Sequence, residues 1–165
     1  MTSLDRLKGV VAPELIARAE RVSRLLTELG VPHSLIGGLA VGVHGHVRAT
    51  RDIDFLVGDQ AFATLKPIPT FRDELRDLVR IGHTDLMSVP PGHPQLHQEL
   101  SSHPGPPVIS LSALILLKLE AGRPRDTEDV RQLMALHRSA LREVRDYLQR
   151  HAPGLVHRLA EVIAS

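Results

Sequence analysis

The sequence predicts an α/β (α+β) fold, in which a small mixed sheet carries flanking helices and is followed by a helical C-terminal part. Three observations lead to this class. Apolar residues recur at helical spacing near the N-terminus, short apolar stretches of strand length follow, and helical spacing returns from Ser110 onward. A chain of 165 residues, 42% of them hydrophobic, suits one compact core with a small appendage. We therefore expect a core over residues 1–111 and a helical subdomain over 112–165 packed on it.

The first part of the chain reads as helix, strand, helix, strand. Residues 13–29 predict an amphipathic helix that ends at Gly30. "HSLIGG" predicts a short buried strand, and "LAVGVHGHV" predicts a short helix that ends near Gly45. "TRDIDFLV" predicts a second strand, closed at Gly58, and "DQAFATL" predicts a further short helix.

The second part adds short strands and then helices. Residues 84–89 predict a strand that pairs with Leu78–Ile81 through a turn near Gly82. The stretch 90–107 is rich in proline and glycine, which predicts a surface loop with one helical turn. "VISL" predicts the last strand. Helices are then expected at about 111–121, 126–137, 140–151 and 153–163.

Composition excludes several classes of protein. Three Phe, one Tyr and no Trp argue against binding of single-stranded nucleic acid by base stacking. The absence of cysteine excludes disulfides and thiolate metal sites. No apolar run is long enough to span a bilayer and the N-terminus lacks a signal-peptide pattern, so we expect a soluble, cytoplasmic protein without a membrane partner. The net charge is +1, but residues 118–158 carry an excess of basic side chains, which suits a modest anionic partner or an ordinary solvated helix surface.

Two aspartates lie in the second predicted strand. Because side chains alternate along a strand, Asp52 and Asp54 should share one face, with Cα atoms roughly 6.6 Å apart. Thr50 and Arg48 join that face if the strand extends back to them, whereas Arg51 should point away unless the strand begins after it. Like charges this close favour a bound cation, and oxygen ligands favour Mg²⁺ or Mn²⁺. The alternative is a pair of acids at a sheet edge, neutralised by Arg48 and Arg51.

A glycine pair precedes this strand. Gly37 and Gly38 end one predicted strand and open a helix, and glycine permits close approach of another group to the backbone. The free N–H groups at a helix N-terminus attract phosphate. The alternative is a tight turn between strand and helix that binds no ligand.

Taken together, "IGG", a helix and "RATRDIDFLV" resemble the nucleotidyltransferase superfamily, which has the polymerase-beta-like fold. The superfamily adds a third carboxylate on a later strand, and "HTDLMSV" offers Asp85. "ISLSALILLKLEAGRPRDTEDVRQLM" resembles the corresponding segment of the bacterial branch that includes AbiEii-type toxins. The resemblance covers about residues 31–136. The chain departs from many active members at Leu39, where they have serine.

The resemblance implies a metal-dependent nucleotidyltransferase, which moves a nucleoside monophosphate from a nucleotide triphosphate to an acceptor. Asp52 and Asp54 would hold two Mg²⁺ (or Mn²⁺) ions about 3.5–4 Å apart, with Asp85 as third ligand or general base. The backbone N–H groups of Gly37 and Gly38 would bind the triphosphate.

Further residues and partners follow from the same resemblance. Arg48, Thr50 and Lys118 would contact phosphate, and Asp126 and Asp129 would lie near the active site. The alternative for Lys118 is an ordinary surface lysine. The alternative for Asp126 is the N-cap of a helix that starts near residue 127. The implied acceptors are tRNA, a protein or a small-molecule hydroxyl, and a cognate toxin or antitoxin is an implied partner. The alternative function is a non-catalytic nucleotide-binding or protein-interaction module of the same fold.

Overall fold

The structure, a computed structural model, describes residues 2–63, 70–80, 83–103 and 105–165, and of residues 77–80 it describes the backbone. The chain divides into two compact units. The sheet unit comprises Met1–Val43 and Val47–Ile109, and the helical unit comprises His44–His46 and Ser110–Ser165. The protein is a mixed α/β protein with a small mixed sheet and flanking helices, as the sequence predicts.

In the described part of the sheet unit, three strands form one sheet. They are β1 (His33–Ile36), β2 (Ile53–Val57) and β3 (Thr84–Ser88), in the order β1-β2-β3. β2 is therefore central, antiparallel to β1 and parallel to β3. The strands predicted around His33–Ile36, Ile53–Val57 and Thr84–Ser88 are confirmed.

The helices of the sheet unit are α1 (Pro13–Glu28), α2 (Gly37–Val43) and α3 (Asp73–Arg80). α1 begins on proline, whose missing N–H is not needed in the first turn of a helix, and it confirms the predicted amphipathic helix. Its apolar face joins the inner faces of β1 and β2 in a buried hydrophobic cluster. This cluster includes Leu26, Leu35, Leu39, Ile53 and Phe55.

A histidine lies inside this cluster. His33 of β1 is fully buried and meets the ring of Phe55 edge-on, with centroids 5.4 Å apart. Its Nδ1 donates to the carbonyl of Val31 at 2.9 Å, so Nε2 is free to accept from the hydroxyl of Ser23 at 2.7 Å. Burial disfavours the charged ring and lowers the pKa of His33, and the hydrogen bond to Val31 opposes this more weakly.

Two predictions on strands are wrong. α3 runs through Arg80, so residues 78–80 form no strand beside β3; Ile81 and Gly82 lie outside the described residues. β3 instead pairs in parallel with β2. "VISL" forms one isolated bridge between Val108 and Leu35, because Pro107 has no N–H with which to extend the ladder.

Two shorter segments follow the sequence prediction in part. The predicted helix in "DQAFATL" is reduced to a single 3₁₀ turn at Asp59–Ala61, after which Phe62 stacks on Phe71; residues 64 and 65 lie outside the described residues. The predicted helical turn in the loop 90–107 is confirmed as a 3₁₀ helix at Pro94–Glu99.

The helical unit contains the four predicted C-terminal helices. They are α4 (Leu111–Ala121), α5 (Pro124–Leu136), α6 (Leu141–His151) and α7 (Leu155–Ala164). α4 is apolar on nearly all sides and packs against the other three helices. Among the helices that the structure describes, none has both the length and the apolar character needed to cross a membrane.

The turn between α4 and α5 corrects one prediction. Gly122 ends α4 with a φ of +61°, and α5 starts on Pro124 with Arg123 as its N-cap. Asp126 is therefore inside the first turn of α5 and is not the N-cap of a helix that starts near residue 127.

Candidate functional site

The Gly37–Gly38 step lies directly against the acidic strand β2. Gly37 opens α2 with a φ of +65°, a left-handed conformation that glycine adopts without strain. A Cβ atom on Gly37 would lie 2.0 Å from Oδ2 and 2.9 Å from Cβ of Asp54. A side chain at this position would collide with that of Asp54, so glycine is what allows the carboxylate of Asp54 to contact this backbone.

Gly38 is the contact point for two side chains from the loop before β2. A Cβ atom on Gly38 would lie 2.7 Å from Oγ1 of Thr50 and 3.3 Å from Nη1 of Arg48. The hydroxyl of Thr50 also donates to the carbonyl of Asp52 at 3.3 Å. The strand alternation expected for Thr50 and Arg48 does not apply, because β2 begins after both residues. The loop itself brings a hydroxyl and a guanidinium to the glycine step.

Asp54 and Asp85 are neighbours across the parallel pairing of β2 and β3. The register pairs the two residues directly, and adjacent strands lie about 4.8 Å apart. Asp54 is half-buried and Asp85 is exposed. Carboxylates in this arrangement repel each other, and a cation bound by oxygens of both would remove the repulsion.

Asp52 lies one residue before β2, which corrects its expected place within the strand. Its side chain is 55% exposed, and Oδ1 lies 3.3 Å from Nδ1 of His83. His83 has a φ of +53°, which is uncommon outside glycine, and its carbonyl accepts a hydrogen bond from the N–H of Ile53 at 2.7 Å. The sequence analysis missed His83, whose only signal is its position directly before the strand that carries Asp85.

The donor chemistry of these residues fits a hard divalent cation. Asp52, Asp54 and Asp85 offer carboxylate oxygens, which Mg²⁺ and Mn²⁺ prefer. The register brings two of the three together, while the third contacts His83. In the ranges that the structure describes, no group of three or more acidic or histidine side chains is gathered for a metal ion. Asp52 must therefore turn from His83 if all three carboxylates are to bind one ion.

Leu39 and Arg51 also lie in the sheet unit. Leu39 is 1% exposed and belongs to the hydrophobic cluster. Arg51 is exposed, and no hydrogen bond or ion pair joins it to another described residue. Arg51 therefore does not neutralise Asp52 or Asp54 as the sheet-edge alternative requires.

In the helical unit, Lys118, Asp126 and Asp129 bind one another. Lys118 lies in the last turn of α4, and Nζ is 2.7 Å from Oδ1 of Asp126 and 2.9 Å from Oδ2 of Asp129. All three side chains are buried, so the reading of Lys118 as a surface lysine is wrong. Arg123, mostly exposed, donates from Nε to the other oxygen of Asp126 at 2.7 Å. Two cations thus balance two carboxylates; a phosphate contact by Lys118 stays a prediction.

The electrostatics of Asp126 reflect this balance. Burial alone would raise the pKa of Asp126, but the hydrogen bonds from Arg123 and Lys118 outweigh it and hold the pKa below the usual value of 3.8. Asp126 is therefore ionised at neutral pH, as its ion pair with Lys118 requires.

The segment His44–His46 belongs to this unit as well. Nε2 of His46 lies 3.9 Å from Oδ1 of Asp129, and Nε2 of His137 donates to the carbonyl of His44 at 2.6 Å. Both contacts join the segment to α5 or to the residue after it.

No family model matches this chain, and the search of curated proteins found no match to it.

Proposed function

We propose that the sheet unit binds a nucleotide triphosphate and transfers its nucleoside monophosphate to an acceptor hydroxyl, as a nucleotidyltransferase-like domain. The observation that carries the proposal is the contact between Asp54 and Gly37. This contact holds the carboxylate of Asp54 against the backbone of a glycine, which has no side chain. The N–H groups proposed to bind phosphate therefore lie next to the carboxylate proposed to bind a cation. In an ordinary tight turn, the glycine step would not have to approach an acidic strand this closely.

In this proposal, the N–H groups and basic side chains of the chain bind the substrate, and a carboxylate accepts the proton. The N–H groups of the Gly37–Gly38 step bind phosphate oxygens, and Arg48 adds a guanidinium that neutralises their charge. α2 has seven residues, so its dipole contributes little and the individual N–H groups matter more. Thr50 fixes the loop that presents Arg48 through its hydrogen bond to the carbonyl of Asp52.

The carboxylates would hold a divalent cation and receive the acceptor's proton. Asp54 and Asp85 would hold Mg²⁺ or Mn²⁺, and Asp52 would join them on leaving His83. When bound there, such a cation would supply charge stabilisation to the triphosphate and would lower the pKa of the acceptor hydroxyl. Asp85, which is exposed, takes the proton as the acceptor oxygen bonds to the α-phosphorus and pyrophosphate departs.

The acceptor in this proposal is tRNA, a protein or a small-molecule hydroxyl, in the cytoplasm. A role beside a cognate toxin or antitoxin follows from the resemblance to the AbiEii-type branch. Both statements rest on that resemblance and on no contact in the structure.

Transfer of label tests the proposal. The full chain is incubated with Mg²⁺, each α-³²P-labelled nucleotide triphosphate, and tRNA, cell extract or aminoglycoside as acceptor. We expect label in an acceptor, and a loss of at least about a hundredfold in Asp54→Asn and Asp85→Asn. Asp59→Asn, which removes an exposed acid shortly after β2, is the matched control and should keep full activity. Equal labelling by all variants would contradict the assignment of the carboxylates.

A second candidate is a non-catalytic nucleotide-binding or protein-interaction module. The contact of Asp52 with His83 favours it, because it draws one carboxylate away from the other two. Titration calorimetry separates the candidates: the catalytic proposal requires that nucleotide binding strengthens with Mg²⁺. Binding of equal strength with and without Mg²⁺, in a protein that labels no acceptor, supports the non-catalytic module.

A further inference from the structure

A basic groove runs along α6 of the helical unit. It encloses about 640 Å³, and α6 with the turn before it forms one wall while Val156 of α7 contributes to the other. Three arginines and one aspartate line it: Arg138, Arg142, Arg145 and Asp146. The residues proposed for nucleotide transfer do not include any of these, so the groove needs a separate explanation.

The arginines form one stripe. Arg142 and Arg145 are one helical turn apart on α6, and Arg138 lies in the 3₁₀ turn directly before the helix, so all three side chains can reach one ligand. All three are exposed, and Arg142 is 94% exposed. Its nearest acid is Asp146, at 3.9 Å, which is too distant and too exposed to neutralise it strongly. The stripe therefore offers guanidinium groups to an anionic partner.

Other groups of the groove narrow the class of partner. Leu141 and Val156 add an apolar surface between the polar side chains. The carboxylate of Asp146 and the amide oxygen of Gln149 are hydrogen-bond acceptors within the same groove. A nucleic-acid backbone would leave the apolar surface of Leu141 and Val156 uncovered, and among the lining residues it would find no aromatic side chain on which a base could stack.

The geometry points to an acidic peptide segment of a partner protein, with an aliphatic side chain as anchor, as the occupant of this groove. Its carboxylates pair with the arginines, its backbone N–H groups donate to Asp146 and Gln149, and its aliphatic side chain covers Leu141 and Val156. α6 rises about 12 Å from its start to Gln149, which matches roughly four residues of extended peptide. This inference does not depend on the proposed nucleotide transfer.

Peptide binding to the full chain tests the inference. The probe is a fluorescein-labelled pool of octapeptides with blocked ends, Asp or Glu at three positions, and Leu, Ile or Val at two. We expect saturable binding by fluorescence anisotropy, weakened at least about tenfold by Arg142→Gln with Arg145→Gln. Val156→Thr, which keeps the shape but adds a hydroxyl, should weaken binding about threefold or more. Arg150→Gln, an exposed arginine of the same helix outside the groove, should bind like the wild type.

Two controls make the outcome decisive. A second peptide pool carries Ser at the two aliphatic positions, and a labelled RNA hairpin offers phosphate without an aliphatic anchor. The inference is overturned if neither pool binds, if the Ser pool binds as tightly as the aliphatic pool, or if the arginine variants bind undiminished. Tighter binding of the RNA, unaffected by Val156→Thr, would assign the groove to nucleic acid instead. Circular dichroism confirms that each variant is folded.

Discussion

The acidic side chains of the two units are balanced in different ways. In the helical unit, Asp126 and Asp129 are buried and each contacts Lys118. In the sheet unit, Asp52 and Asp85 are exposed, and Asp85 stands in register with another aspartate. Lys118 is a buried cation shared by the first group, whereas in the second group Asp52 contacts an exposed histidine, His83. Proximity of acids in a sequence does not distinguish the two situations, but burial and the nearest cation do.

The comparison is tested most strongly at Lys118. Lys118→Met leaves two buried carboxylates without their shared cation, so we expect the free energy of unfolding to fall by about 3–5 kcal/mol. Urea unfolding measures the loss. Lys8→Met, which removes an exposed lysine, should cost less than about 1 kcal/mol. In a background with Asp126→Asn and Asp129→Asn, Lys118→Met should cost far less than in the wild type. A small cost in every background would show that the triad contributes little.

The second prediction concerns the glycine step of the sheet unit. Gly37→Ala should cost about 2–4 kcal/mol, because a left-handed alanine is strained and its Cβ collides with Asp54. Gly30→Ala is a matched control, because Gly30 has nearly the same φ (+68°) and no atom lies within 4 Å of its Cβ position. It should cost only about 1 kcal/mol. Equal costs in thermal or urea unfolding would mean that the contact with Asp54 is not tight.

The third prediction uses pH to separate the units. The pKa of His33 is lower in the folded protein than its usual value of 6.5. As pH falls, His33 therefore binds a proton in the unfolded chain before it does so in the folded protein. Stability should begin to fall as pH drops below 6.5. The pKa of Asp126 is also lowered, so its contribution is complete above pH 3.8 and is lost only as pH falls below that value. Urea unfolding at a series of pH values measures both windows. His33→Gln should flatten the first window and Asp126→Asn the second; variants that flatten neither would refute the assignment.

The smallest expected effect has the opposite sign to the first. Asp85→Asn removes a like charge opposite Asp54, so stability should stay unchanged or rise by at most about 1 kcal/mol. Mg²⁺ should raise the melting temperature of the wild type and raise that of the variant less, because a ligand of the folded state stabilises it. Asp59→Asn is again the control. Equal shifts with Mg²⁺ in wild type and Asp85→Asn would place the ion elsewhere.

Local patterns predicted the elements well where periodicity was strong. α1, the strands around His33 and Asp54, and the four C-terminal helices follow from apolar spacing and from glycine and proline positions. The parallel partner of β3 did not follow, because pairing with β2 joins residues about thirty positions apart and leaves no local signal. A full strand was predicted around Val108, where the structure has a single bridge. A short apolar run in the sequence does not show whether a ladder of hydrogen bonds continues.

Residues that the sequence analysis singled out lie close together in the structure, but the geometry that brings them together differs from the expected one. The two glycines, Asp54 and the loop residues Arg48 and Thr50 were all anticipated, and the structure brings them together. The sequence analysis expected Arg48 and Thr50 on an extension of the strand. In the structure, an irregular loop before β2 brings these two residues to the glycine step. Burial of the lysine in α4 and the left-handed backbone of His83 depend on contacts from other elements, which a sequence pattern does not contain.

The central position of β2 protects the arrangement of the site during folding. Asp54 is paired with Ile36 on one side and with Asp85 on the other. A slip of β2 by one residue would turn its buried side chains outward and would break an antiparallel and a parallel ladder together. Misaligned chains would thus lose their core along with their site. Any molecule that folds stably has therefore already aligned the aspartate with both the glycine step and the neighbouring carboxylate.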